Sequence, residues 1–116
     1  MQVEKMSKAQ RDKGRRGQTV AEAMLTSRDW TVDPITAGVK REDMIATSPE
    51  GIVYSVEVKN CIVISLAHRK QAMEQARARK LPWMLMSKIH GTHCWLVQRR
   101  NCIPVVWQEE NRDFLI

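Results

Sequence analysis

The chain has 116 residues, with 19 Lys and Arg against 13 Asp and Glu, a formal net charge of +6. That length fits one ordinary domain, and a hydrophobic content of 43% is globular usage, which excludes a disordered chain. The longest stretch free of charged residues is 89–98, well short of the roughly 20 apolar residues of a membrane span, so no membrane partner is expected.

Residues 1–16 carry Lys5, Lys8, Arg11, Lys13, Arg15 and Arg16 against Glu4 and Asp12, with only Val3 and Met6 to bury. They read as a flexible basic arm ahead of a single domain at 17–116. No apolar run follows the basic start, so it is not a secretory signal. Over 17–28 the spacing of Val20, Ala21, Met24 and Leu25 predicts a helix, with Glu22 near the edge of its apolar stripe. Trp30, Thr31 and Val32 form a short predicted strand that Asp33-Pro34 ends, and 35–41 is a loop.

Asp43 opens the next predicted strand, at 43–47, and Ser48-Pro49-Glu50-Gly51 supplies turn chemistry. The strand at 52–59 follows, so the two make a hairpin. Alternation puts Val53, Ser55, Glu57 and Lys59 on one face and Ile52, Tyr54, Val56 and Val58 on the other. A second helix is predicted at 65–80, with Ser65 as N-cap and Pro82 as stop. Leu66, Met73 and Ala76 can face a core, while Arg69, Lys70, Arg77, Arg79 and Lys80 outnumber Glu74. Strands at 83–87 and 93–97 flank a turn at Gly91, and a last strand is read at 103–107, with Pro104 indicating an edge. The order α-β-β-β-α-β-β defines an α/β fold, a mixed central sheet flanked by helices.

Cys61, Cys94 and Cys102 are odd in number and form no CxxC pair, which favours a reducing compartment such as the cytoplasm. The cluster His90-Gly91-Thr92-His93-Cys94 misses the usual zinc spacings and reads as a turn entering a strand. The four tryptophans lie in or beside strands and, like the seven methionines, read as core.

Glu22, Asp43, Glu57 and Lys59 carry the chemistry. An antiparallel hairpin returning through the 48–51 turn brings Asp43 and the pair Glu57 and Lys59 to the same open end. Carboxylates so close repel unless a cation joins them, and Mg²⁺ is held by one or two carboxylates plus water and phosphate oxygens. The carbonyl of Val58 offers a further oxygen. Lys59 is placed to neutralise a scissile phosphate or to help deprotonate water, so the set fits phosphodiester hydrolysis. By itself, a Glu-Val-Lys strand end also reads as a solvated edge with a surface ion pair. The basic residues fall on the arm, on Lys40-Arg41, on the second helix and on Arg99-Arg100, and such groups give sequence-independent binding to nucleic acid phosphates.

The layout Glu22, Asp43, Glu57-Val58-Lys59, with the hairpin DMIATSPEGIVYSVEVK, resembles the PD-(D/E)XK nuclease superfamily. Within it, the chain is most similar to archaeal and phage-associated Holliday junction resolvases. KGRRGQTVAEAML resembles that family's entry to a first helix bearing a metal-binding glutamate, here Glu22. HRKQAMEQARARK resembles its basic helix, where a glutamine matching Gln71 belongs to the active-site motif. The resemblance spans roughly 13–107 and implies a restriction-endonuclease-like fold and a Mg²⁺-dependent endodeoxyribonuclease, with Mn²⁺ able to substitute. It also implies four-way-junction DNA as substrate, a role in recombination and repair, and a homodimer. Glu22, Asp43, Glu57 and the Val58 carbonyl would bind metal. Lys59 and Gln71 would complete the catalytic set, and Lys13, Arg15, Arg16, Thr36, Lys40, Arg41, Arg69 and Lys70 would contact DNA. The sequence departs from the pattern in two places. Glu42 stands where the motif's name has proline, and Thr36 is the only hydroxyl near Ala37-Gly38, where the family often carries Ser-Gly.

Overall fold

The computed structural model describes residues 8–34, 44–60, 66–109 and 113–115. The elements are α1 (Lys8–Ser27), β1 (Thr31–Pro34), β2 (Met44–Thr47), β3 (Val53–Lys59), α2 (Leu66–Arg79), β4 (Trp83–Lys88), β5 (Cys94–Arg99), β6 (Val105–Gln108) and β7 (Asp113–Leu115). They form one seven-stranded sheet in the order β1 to β7. Every pairing is antiparallel except β3 with β4, which are parallel and joined through α2. This is the expected mixed α/β sheet flanked by helices. No helix among the described residues is long and apolar enough to cross a membrane.

The hairpin forms as the turn chemistry dictates. Ser48 N–H donates to the Ile52 carbonyl at 2.8 Å, Gly51 N–H to the Ser48 carbonyl at 2.9 Å, and Ile52 N–H to Ser48 Oγ at 3.1 Å. Gly51 has φ 90, a left-handed value that glycine adopts without strain. From there the register runs Thr47↔Val53 to Met44↔Val56.

Alternation along the central strands sorts the sheet into two unlike faces. On one, Tyr54 and Val56 of β3, Met84 and Met86 of β4, and Trp95 and Val97 of β5 pack with Ala21, Met24 and Leu25 of α1. On the other, Ser55 and Glu57 of β3 lie beside Leu85 and Ser87 of β4, all at or below 5% exposure, and the fully buried residues of α2 are the small Ala72 and Ala76. Trp30 packs on Tyr54 (centroids 5.6 Å apart) and Trp107 (6.1 Å), and the Arg99 guanidinium lies over both Trp30 and Tyr54.

Four expectations need correction. The helix begins at Lys8 rather than 17, so residues 8–16 of the expected arm are helical. Lys, Arg, Gln and Ala are good helix formers and continue the helix without an apolar face. The sheet has two strands beyond the α-β-β-β-α-β-β order: β6, which matches the strand read at 103–107, and β7, which was not expected. Pro104 does not mark an edge, because it precedes β6, which pairs on both sides. Finally, Trp30, Trp95 and Trp107 are core, but Trp83 is only half-buried, and Met73 is exposed at 43%.

Candidate active site

The hydrogen-bonded length of β3 ends in Glu57, Val58 and Lys59, and this end carries the strongest chemical signal in the fold. Glu57 and Lys59 are two apart on one strand and therefore share a face. Lys59 Nζ stands 3.2 Å from Glu57 Oε1. The glutamate is 5% exposed. A carboxylate so enclosed needs a positive partner to stay ionised, and Lys59 supplies one while its own side chain keeps 24% exposure. The strand end is therefore not a solvated edge, although the ion pair of that reading is present. Val58, between them, points to the α1 side and packs against the apolar core.

The parallel register sets Glu57 opposite Leu85 and Lys59 opposite Ser87. Ser87 is 1% exposed, and its Oγ has no hydrogen-bond partner among the described residues. It is a polar neighbour that sequence reasoning missed. The signal available was a lone serine inside the apolar run Trp83-Met84-Leu85-Met86-Ser87. Gln75 Oε1 is likewise buried and unpartnered among the described residues. Gln71, one turn earlier on α2, is exposed.

Helix α1 approaches the same end of β3 from the opposite face. Gly17 is buried, and a Cβ there would meet Asn60 Cβ at 3.2 Å, so a bare backbone lets the helix come this close to the residue after Lys59. Glu22 follows on α1, half-buried on the flank of the stripe formed by Ala21, Met24 and Leu25. Among the described residues no three His, Cys, Asp or Glu side chains are grouped to hold a metal ion. Asp43 lies outside the described residues. It immediately precedes Met44, whose β3 partner is Val56, the residue before Glu57.

Of the expected DNA contacts, Arg15, Arg16, Arg69 and Lys70 are exposed. Thr36, Lys40, Arg41 and the Lys13 side chain lie outside the described residues. The pair Arg99-Arg100 splits: Arg99 is half-buried over Trp30 and Tyr54, while Arg100 is exposed. Residues 90–93 of the histidine and cysteine cluster form a turn entering β5. His93 Nδ1 lies 3.1 Å from Glu109 Oε2, and the Trp95 indole N–H donates to Glu109 Oε1 at 3.1 Å.

No protein-family model matches the chain, and no curated protein matches it significantly. Among solved structures, it is similar to the Holliday junction resolvase Hjc of Archaeoglobus fulgidus, an archaeal hyperthermophile, with TM-score 0.55 and 16% identity. The match covers 83% of this chain and 87% of that one. The chain therefore has the Hjc-like, restriction-endonuclease-like fold.

Proposed function

We propose that this protein is a metal-dependent DNA endonuclease acting on branched DNA, with the four-way junction as substrate. The observation that carries this reading is the enclosed Glu57, held 3.2 Å from Lys59 at the end of β3, in a fold shared with a Holliday junction resolvase. The donors are hard oxygens, which suit Mg²⁺ and, in its place, Mn²⁺. Glu57, Asp43, Glu22 and the Val58 carbonyl are the proposed metal ligands. The ion, when bound, would supply a nucleophilic water at neutral pH and charge stabilisation for the phosphate.

The chain's own residues do the rest. Glu57 keeps a buried negative charge at the sheet end, and Lys59 places an ammonium where it can hydrogen-bond a phosphate oxygen or the attacking water. Gln71, exposed on the first half of α2, is proposed to orient the scissile strand. Arg15, Arg16, Arg69 and Lys70, together with Lys13, Thr36, Lys40 and Arg41, are proposed to hold the backbone without reading bases. A homodimer would present two such sites, one for each of two strands of a junction.

The test is incubation of a labelled four-way junction and a matched linear duplex with Mg²⁺ or with EDTA. Paired nicks confined to the junction and dependent on metal support the reading, whereas cutting of both substrates replaces the resolvase with a general nuclease. Binding without metal-dependent cutting would leave only a DNA-binding protein. Glu57→Gln should lose cutting by at least about a thousandfold while still binding the junction. Glu22→Gln decides whether α1 contributes a ligand, and sedimentation of the protein with and without junction decides the dimer.

A further inference from the structure

A second feature lies at the opposite end of α2 from Gln71. An open groove of about 470 Å³ is lined by Met73, Arg77, Lys80, Trp83 and Arg100, among others. That volume is within the range of small-molecule and nucleotide sites. Its three cations are exposed, and none makes an ion pair among the described residues. Its floor is unusual for a polar surface: Trp83 is only half-buried, and Met73 is 43% exposed.

Backbone geometry places two of the cations, Lys80 and Arg100, at the groove. At the end of α2, Lys80 N–H donates to the Arg77 carbonyl at 3.0 Å and Leu81 N–H to the Ala76 carbonyl at 2.9 Å, the paired bonds of a left-handed helix cap. The left-handed residue in that cap is usually glycine, yet here it is Lys80, with φ 58. Across the groove, Arg100 N–H donates to the Trp83 carbonyl at 3.1 Å, and Asn101, with φ 61, turns the chain. A cation thus occupies a strained backbone position that glycine would fill without strain.

The groove lies on the same face of β4 as the proposed active site. Trp83, Leu85 and Ser87 alternate on the α2 face of β4, so Trp83 lies roughly 13 Å along the strand from Ser87 and its neighbour Lys59. On the outside of α2, Arg69, Met73 and Arg77 follow one another at helical spacing, Lys80 lies just past the helix end, and all four are exposed. They form a stripe from the active-site end of the helix to the groove.

We infer that this groove binds an unpaired nucleotide of a DNA strand, its phosphate against Arg77, Lys80 and Arg100 and its base on the Trp83 indole beside Met73. The inference rests on the DNA reading above and adds to it a preference for DNA with a single-stranded stretch beside the cut. Positive charge alone would suit duplex, single strand or an acidic peptide. The indole selects among them, because a duplex keeps its bases stacked on each other and a peptide of carboxylates has no flat apolar face to offer.

The test titrates the unaltered protein, in EDTA, with a short labelled oligothymidylate, a blunt duplex and polyglutamate, following anisotropy and tryptophan fluorescence. Single strand should bind with quenching, and Trp83→Leu should weaken that binding about tenfold and lower the single-strand to duplex ratio by the same factor. Arg100→Ser should reduce the slope of log affinity against log salt by about 0.7, the contribution of one single-strand phosphate. An unchanged ratio in Trp83→Leu overturns the inference, as does polyglutamate displacing the oligonucleotide with equal efficiency per charge. If Trp83→Leu fails to fold by circular dichroism, Arg100→Ser and Lys80→Ser decide by their salt slopes. Junction cutting in Mg²⁺ is measured in parallel on the unaltered protein. Cutting without quenching defeats only the groove, and quenching without cutting defeats only the nuclease.

Discussion

The two faces of the central sheet are made by the same strands and do opposite things. Tyr54, Val56, Met84, Met86, Trp95 and Val97 give one face large apolar side chains that α1 covers. One residue further along each strand, Ser55, Glu57 and Ser87 give the other face buried polar groups, beneath a helix that contributes alanines. Apolar area removed from water stabilises a fold, whereas a buried carboxylate or hydroxyl does so only when well partnered. The difference indicates that the α1 face holds the protein together and the α2 face is arranged for something other than stability.

Substitutions on the two faces should therefore change stability in opposite directions. Trp95→Ala, on the α1 side, removes a fully buried ring and its hydrogen bond to Glu109, and should lower the unfolding free energy by about 3–5 kcal/mol in urea denaturation. Glu57→Leu together with Lys59→Met, on the α2 side, should raise it by about 1–2 kcal/mol while abolishing the proposed metal-dependent cutting. A loss of stability in that variant would break the comparison. Ser87→Ala removes a hydroxyl with no partner among the described residues and should stabilise by about 1 kcal/mol. A clear loss instead would show that the hydroxyl is satisfied through water.

The smallest effect is set by pH. Burial tends to raise the Glu109 carboxyl, but the Trp95 indole, His93 and Lys88 outweigh it and hold the group below its ordinary value of 4.5. A lowered folded-state value contributes stability above the unfolded value that is lost as pH falls through the folded one. The melting temperature should therefore drop below about pH 4.5 by the equivalent of less than about 1 kcal/mol, and Glu109→Gln should flatten that limb.

Much of this contrast could be read from the residues. The stripe of Val20, Ala21, Met24 and Leu25, the turn at 48–51 and the period of two in the strand that follows all carry strong local signals, and each formed as expected. Glu57 and Lys59 were legible because a strand that alternates must place them together. Local signals failed where structure depends on neighbours. Helix α1 extends back to Lys8 with no apolar period to announce it, and β7, three residues long, is held by pairing with β6. Trp83 has the composition of core, but its place at the strand start opens it to the groove.

Strand order equals chain order across the sheet, and this bears on how the molecule assembles. Most joins are between consecutive antiparallel strands, the local pairings that form fast. The exception is β3 with β4, which must wait for the intervening helix to bring the chain back in parallel. Two meanders, β1 to β3 and β4 to β7, can thus form early and dock late. Glu57 and Lys59 lie on the seam between them, so the proposed chemistry becomes available only when the two halves have joined.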